Sequence, residues 1–427
     1  MSDKILNINT DEWENKSLLP GKVVLDFYST ECPPCEALAP KFESLSEVYG
    51  DDVNFYKIFR QENRSLADHL DVKSSPTVLF FENGREVGER LSGGIRRADL
   101  VRNLEIMLGP ERSAELRTQI APRKTECDVL IIGGGPSGLT AGIYLAQAKV
   151  RVILVDIALP GGQVSTTHTV SNYPGFSEPV PGWMLMHHMR EQAKAAGVEF
   201  RSAVDVTSID LDRKEVVVDA METIGAHKLI IATGASPRPL GITGEREYRG
   251  KGVSYCATCD GKYYQDRDVI VIGGGNSAIE ESLFIAKFAR SITIVHQFDV
   301  LQANRTAQKR AFAEPKISFL FEHEPREFRR NGKDMEVEVE KLRTGERKTI
   351  PCDGVFVFAG MRPNLDLFNG LLTLDEWGYV LTDEQMRTNL SGVFAVGDVR
   401  SKPFRQITTA VSDGTIAAIA AAKELEG

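Results

Sequence analysis

The chain has 427 residues, 42% of them hydrophobic and 26% charged, with a formal net charge of −9. This composition excludes a disordered or fibrous chain and gives a prior of about three domains at roughly 150 residues each. An acidic surface repels phosphate, so nucleic acid is not expected as a partner. No apolar run approaches the roughly 20 residues that span a bilayer, and residues 1–10 are polar, without a signal-peptide core. A cytoplasmic protein with no membrane partner is expected.

In chain order, Val23–Tyr28 is a short apolar run that reads as a buried strand. From about Cys35 to Tyr49, Leu38, Phe42, Leu45 and Val48 recur at helical spacing. Val53–Ile58 reads as a strand, and Thr77–Phe81 followed by Asn83-Gly84 as a hairpin. Arg97–Leu108 closes this first region as a helix. Residues 109–126 are polar, contain Pro110 and Pro122, and read as a linker with room for one helical turn. Fully extended, such a linker would reach about 60 Å. From Cys127 an internal repeat appears: Val129-Leu-Ile-Ile-Gly-Gly-Gly-Pro-Ser-Gly returns as Val269-Ile-Val-Ile-Gly-Gly-Gly-Asn-Ser-Ala. Each copy is an apolar strand, a glycine turn and a helical pattern, which suggests two nucleotide-binding domains.

There are six cysteines, four of them in two Cys-x-x-Cys pairs. Paired thiols in a reducing compartment point to redox or metal chemistry. Cys32 precedes a helix, where unpaired N–H groups and the helix dipole favour a thiolate, and Cys35 lies one turn on, able to close a disulfide. Zinc would need two further ligands, and His69 is the only histidine in the first 126 residues. No metal site is expected. Cys127 and Cys352 read as bystander thiols, the first before a strand, the second in a loop before another.

The segment Asp26-Phe-Tyr-Ser-Thr-Glu31-Cys32-Pro33-Pro34-Cys35, with Ser75-Pro76-Thr77 and Asn83-Gly84, resembles a thioredoxin domain over nearly all of residues 1–108. The resemblance implies a cis Pro76 facing the disulfide and a buried Asp26 as proton acceptor for Cys35. Glu31 replaces the family's usual Trp, and Pro33-Pro34 its Gly-Pro.

Gly133-x-Gly135-Pro136-Ser137-Gly138 opens a helix after an apolar strand, and Asp156 ends the next strand, where a ribose hydroxyl is bound. Gly161-Gly162-Gln163, Asn172-Tyr-Pro-Gly175, Ala232-Thr233-Gly234, Tyr255-Cys256-Ala-Thr-Cys259-Asp260 and Val393-Phe-Ala-Val-Gly397-Asp398 follow, then Arg405-Gln406-Ile407. From Cys127 to the carboxyl terminus this order resembles bacterial-type thioredoxin reductase. The resemblance implies FAD on the first glycine loop and Asp398 at its ribityl and phosphate end. Arg405, Gln406 and Ile407 would lie near the flavin ring. It makes Cys259 the flavin-facing thiol, Cys256 the interchange thiol and Asp260 the general acid.

The second loop, Gly273-x-Gly275-Asn276-Ser277-Ala278, would take a nicotinamide dinucleotide. NADPH-using members carry His-Arg-Arg after the next strand and a further Arg, which clamp the 2′-phosphate. Here the stretch reads His296-Gln297-Phe298-Asp299-Val-Leu-Gln302, with those arginines replaced and an acid added. NADH is therefore expected over NADPH, with a ferredoxin-like donor as the alternative.

The expected fold is α/β: a thioredoxin fold (1–108), a linker (109–126), then two Rossmann-like, three-layer ββα nucleotide-binding domains. These are an FAD domain in two parts (127–243 and 346–427) and a pyridine-nucleotide domain (244–345). The expected function is a thioredoxin reductase fused to its own thioredoxin. Electrons would pass from NADH through FAD and Cys256–Cys259 to Cys32–Cys35 and then to a protein disulfide, with a peroxiredoxin among candidate targets. A homodimer is expected. The alternatives are a peroxiredoxin (alkyl hydroperoxide) reductase flavoprotein, whose family has a doubled thioredoxin fold in front, and a redox-sensing binding protein.

Overall fold

A computed structural model describes residues 4–15, 20–167, 169–332, 334–368 and 370–426, with the backbone alone at 258 and 259. The chain forms two compact units. One holds the chain up to Gly162, Met186–Gly234 and Leu365 onward; the other holds Gln163–Leu185 and Ala235–Asn364.

The first unit begins with a five-stranded sheet in the order Ile5–Ile8, Asn54–Phe59, Lys22–Tyr28, Thr77–Glu82, Arg85–Ser92. The first three strands are parallel and the last two antiparallel. Val23, Leu25 and Phe27 bury on one face of the central strand and Val24 on the other, so two apolar cores flank it. The turn at Asn83 (φ 50°) and Gly84 (φ 79°) has both residues left-handed, as a two-residue hairpin requires. The helix Pro33–Tyr49 begins two residues earlier than the apolar spacing indicates, because Pro33 is pre-set for a first helical position and Cys32 caps it.

The stretch that reads as a linker is mostly ordered. Pro110 starts a helix to Arg117, with Gly109 shared as C-cap of Arg97–Leu108 and N-cap of this one. Leu116 packs into the core behind the five-stranded sheet. Arg112 holds Asp52 through Nε (3.1 Å) and Nη2 (2.8 Å). Apart from the cap Gly109, only residues 118–122 of this stretch lie outside helix and strand.

The strand that carries Cys127 runs Arg123–Ile132 and pairs in parallel with Glu222–Ile231 from Arg123 onward. Cys127 is therefore inside a strand, not ahead of one. The parallel part of this sheet has the order Glu199–Ser202, Val152–Asp156, Arg123–Ile132, Glu222–Ile231, with Val393–Ala395 also on the last of these. Antiparallel strands Glu215–Val218 and Val206–Asp210 extend it.

The second unit repeats the plan. Its parallel sheet has the order Val253–Ser254, Gly354–Val357, Asp268–Ile272, Ser291–His296, Ile317–Phe321. An antiparallel sheet of His323–Asn331, Asp334–Lys341 and Arg347–Cys352 packs its apolar side chains into a core shared with the parallel strands. Cys352 ends a strand rather than sitting in a loop. Cys127 and Cys352 are free and buried, and burial pushes both thiols up to about 12, which disfavours the reactive thiolate. Among the described residues no helix is long and apolar enough to cross a membrane.

Candidate functional site

Cys32 and Cys35 are joined by a disulfide, with Cα atoms 5.2 Å apart. Cys32 is the N-cap of its helix, and its Sγ accepts from Cys35 N at 3.3 Å. After reduction the same N–H would meet a thiolate. Ser75–Pro76 is cis, and Cys32 Sγ lies 3.5 Å from Ser75 O. On the central strand that leads toward the pair, Asp26 is 1% exposed, with Lys57 Nζ 3.8 Å from its carboxylate. Burial raises its pKa to about 7, against the pull of Lys57, so it can take up and release a proton near neutrality.

In the first nucleotide-binding fold, Gly133 and Gly138 are dictated by space. A Cβ on Gly138 would lie 1.9 Å from Gly133 O, and one on Gly133, whose φ is +108°, 2.3 Å from Ala232 O. Gly135 faces open space at the start of helix Pro136–Gln147, where a pyrophosphate could meet free N–H groups. Asp156 Oδ2 accepts from Gly134 N at 2.6 Å and Oδ1 from Ala158 N at 2.8 Å. Each oxygen keeps a further acceptor site. Burial raises this carboxyl to about 6. Gly161 N donates to Gly134 O, and a Cβ on Gly162 would lie 3.1 Å from Gly135 Cα, so this turn closes on the glycine loop. Thr233 and Gly234 (φ 66°) follow the strand beside it.

Gly397 lies close against the same helix. Its Cβ would be 2.5 Å from Ser137 Oγ, which brings Asp398 to that helix end. Asp398 Oδ1 is buried with no hydrogen-bond partner, although Lys402 Nζ lies 3.4 Å away. Lys402 also meets Asp413 at 3.1 Å, and Asp413 accepts from Gly397 N at 3.0 Å and pairs with Arg400 at 3.2 Å. Sequence reasoning missed this Asp413–Lys402–Arg400 brace, because its members are ordinary charges 11–13 residues apart. Arg405 lies over the Tyr379 ring at 3.7 Å with Nε buried and unpaired, and Ile407 opens the last helix after Gln406. A glycine cradle, an open helix end and an orphaned buried carboxylate oxygen suit a dinucleotide with a hydroxylated chain. These residues fit FAD. Gln163 and Asn172 belong to the second unit.

In that unit Cys256 is disulfide-bonded and precedes the short helix Ala257–Asp260. The side chain of Cys259 lies outside the described residues. Ser254, 5% exposed, donates to Asp260 Oδ2 at 2.6 Å, and its Oγ accepts from Cys256 N at 3.1 Å. This hydroxyl ties the Cys256 backbone to the Asp260 carboxylate. Its only sequence signal is a serine two residues before the motif.

The second glycine loop has a Gly273 whose Cβ would meet Phe358 O at 2.4 Å, and an open Gly275 ahead of helix Asn276–Ile285. Asn276 and Ser277 are exposed at the helix start and Ala278 is buried. Asn276 Oδ1 accepts from Asn304 N at 2.7 Å. His296 is buried against Gly274, with Nε2 3.1 Å from Val300 O, and burial lowers its pKa. Gln297, Phe298, Asp299 and Gln302 are not buried, except that Phe298 packs edge-on against the His296 ring.

The family model described as pyridine nucleotide-disulphide oxidoreductase matches residues 127–414, and that described as thioredoxin matches residues 4–106. A thioredoxin reductase of Peptoclostridium acidaminophilum is 43% identical over 306 residues, covering 70% of this chain and 97% of that protein. A "34.2 kDa protein in rubredoxin operon" of Clostridium pasteurianum is 43% identical over 303 residues, covering 71% of this chain and 98% of that protein. Among solved structures, Lactococcus lactis thioredoxin reductase in its FR conformation is 42% identical, with a TM-score of 0.67 over 70% of this chain and 98% of that one.

Proposed function

Because the chain belongs to the pyridine nucleotide-disulphide oxidoreductase family, and is a flavin disulfide oxidoreductase of the thioredoxin reductase type with an amino-terminal thioredoxin domain, we propose that it is a reductase fused to its own thioredoxin. The observation that carries this reading is the co-occurrence of two Cys-x-x-Cys stations in one chain, each at the start of a helix and each with a candidate acid: Asp26, buried on the strand before Cys32–Cys35, and Asp260, joined to Cys256 N through Ser254.

A bound FAD supplies two-electron transfer between a nicotinamide and a disulfide. The residues of this chain do the rest. The reduced Cys256 thiolate attacks Sγ of Cys32, and Cys35 leaves as a thiolate. Cys259 then attacks Cys256 in the mixed disulfide and releases Cys32. One disulfide and one dithiol become one dithiol and one disulfide, so two electrons and two protons change station. Asp26, near neutrality, can hold the proton that Cys35 needs. Ser254 keeps Asp260 at the interchange cysteine. The Cys32–Cys35 dithiol then reduces a protein disulfide, a peroxiredoxin being one candidate. The tether makes the first exchange intramolecular wherever its geometry lets the two pairs meet. A cytoplasmic homodimer is part of this reading, on the resemblance and the reduced-thiol chemistry.

NADH is proposed as the donor. No Lys or Arg occupies positions 297–302, and Asp299 would repel a 2′-phosphate. One observation favours a second reading, a small electron-transfer protein as donor: His296 stands buried where the first loop has Asp156, so no acid closes that strand for a ribose. A single comparison tests the scheme. In Cys32→Ser, reduction of an insulin-like disulfide should fall at least 100-fold (about 2.7 kcal/mol), while stopped-flow flavin reduction by NADH stays at the wild-type rate and exceeds that by NADPH. Undiminished disulfide reduction by this variant would remove the amino-terminal domain from the path. Faster reduction by NADPH would remove the NADH assignment.

A further inference from the structure

The helix that carries the first redox pair also buries a cation that thiol chemistry does not use. Lys41 is 6% exposed. Its ammonium donates to Ile95 O at 3.0 Å in its own module, and to Ser202 O at 2.9 Å and Ala203 O at 2.6 Å in the flavin module. An ammonium has three N–H donors, and three carbonyls satisfy them. Ala203 stands in the left-handed region (φ 53°), which a residue with a Cβ adopts only at steric cost. This turn ends strand Glu199–Ser202 and offers two successive carbonyls to a residue some 160 positions away.

Weaker contacts ring this one. Lys194 Nζ meets Glu36 Oε2 at 2.8 Å, and Arg96 meets Asp205 at 3.2 Å. A Cβ on Gly94 would touch Leu159 at 3.6 Å and Ala203 at 3.9 Å. Asp219 and Asp205 supply a negative field that Lys41 feels, and Asp219 also faces Arg97. The contact is built from two buried cations, Lys41 and Arg97, and from ion pairs open to solvent, the composition of a reversible interface between domains rather than of a fused core.

Its position bears on the redox pair. Glu36 directly follows Cys35. Gly94 follows Gly93, whose N–H donates to Pro76 O at 3.4 Å. The flavin module therefore meets the residue next to Cys35 through Lys194, and lies beside Gly94, whose chain neighbour bonds to the cis proline. Because the helix Pro110–Arg117 packs with the thioredoxin module, a hinge falls within residues 118–122, of which Thr118, Gln119 and Ile120 donate back to the helix end. Five residues reach at most about 18 Å, so undocking is a short swing.

We propose that the flavin module carries a docking site for the thioredoxin module of the same chain, latched by Lys41 on the carbonyls of Ser202 and Ala203, and that undocking exposes Cys32–Cys35 to its partners. The proposal rests on Cys32–Cys35 being the outlet, so its test reads accessibility and shape instead of turnover. In the reduced full-length chain, Cys32 should react with a maleimide at least fivefold faster in Lys41→Met than in the wild type, by mass spectrometry of its peptide. The radius of gyration in solution scattering should rise with it. Asp205→Arg, on the flavin side and remote in sequence from Cys32, should move both readouts the same way, and Arg96→Asp combined with Asp205→Arg should restore them. Unchanged labelling and scattering in both single variants would overturn the docking site. Accelerated labelling together with full turnover of Cys32→Ser would leave the docking site standing and remove the outlet assignment instead.

Discussion

At the end of the second strand of its first nucleotide-binding sheet the chain places Asp156; at the matching point of the second sheet it places His296. The glycine turns before them are alike, and Gly133 and Gly273 both carry positive φ angles (108° and 132°). The side chains that close on the turns differ. Asp156 accepts the N–H of Gly134 and keeps lone pairs for a ligand hydroxyl, whereas His296 lies flat against Gly274 and engages Val300 O. The difference teaches that a glycine fingerprint specifies a backbone shape able to approach a pyrophosphate. Which dinucleotide is held, and how tightly, is set by the residue that follows the next strand.

The sharpest way to break the comparison lies in the third glycine position, Gly138 in one copy and Ala278 in the other. In the first copy helix and turn approach so closely that a methyl would sit 1.9 Å from Gly133 O. Gly138→Ala should abolish FAD retention, read as the flavin-to-protein absorbance ratio after purification. It should also cost about 1–3 kcal/mol of stability through overpacking. The second copy already holds Ala278, so its helix stands farther from its turn. If Gly138→Ala retains stoichiometric FAD, the two turns are interchangeable and the comparison fails.

A medium effect is expected from reversing the lost clamp. Gln297→Arg, Phe298→Arg and Gln302→Arg together put guanidinium groups where the NADPH-using pattern has them. A charged hydrogen bond contributes about 1.5–3 kcal/mol, so even one well-made contact should raise the rate of flavin reduction by limiting NADPH tenfold or more. NADH should change little. A triple variant that stays indifferent to the 2′-phosphate would mean that the second loop takes no pyridine nucleotide, and would favour the protein donor.

What was legible in the sequence follows the same division. The glycine turns, both cysteine pairs, Asp26 and the Asn83-Gly84 hairpin could be read because each rests on neighbours in the chain. Pro110 misled, since it reads as a helix breaker and in fact occupies a first helical position, with Leu116 reaching a core that no local pattern reveals. Lys41 carries no signal in the sequence, because its acceptors include backbone carbonyls of another module and carbonyls leave no trace in composition. Ser254 and the Asp413–Lys402–Arg400 brace were invisible for a related reason: they position the chemistry through other side chains, and serines and charges at such spacings occur throughout any surface.

The smallest effect is the most diagnostic of the two closing residues, because their linkages have opposite signs. Burial raises Asp156 to about 6 from an ordinary value of 3.8. The folded chain without ligand therefore holds this proton more tightly than the unfolded one. The associated stability is present below pH 4 and is lost as pH rises through 6, at no more than about 1.4 kcal/mol per unit. Burial lowers His296 from 6.5, so the folded chain holds that proton less tightly, and stability is lost as pH falls below 6.5. Acidifying the apoprotein from pH 7 to 5 should thus stabilise the first nucleotide-binding fold and destabilise the second. Hydrogen exchange resolves the two: protection should rise in Val152–Asp156 and fall in Ser291–His296. Asp156→Asn should flatten the first response alone and His296→Gln the second alone. Parallel responses in both strands would mean that the carboxylate and the imidazole are not what distinguishes the two turns.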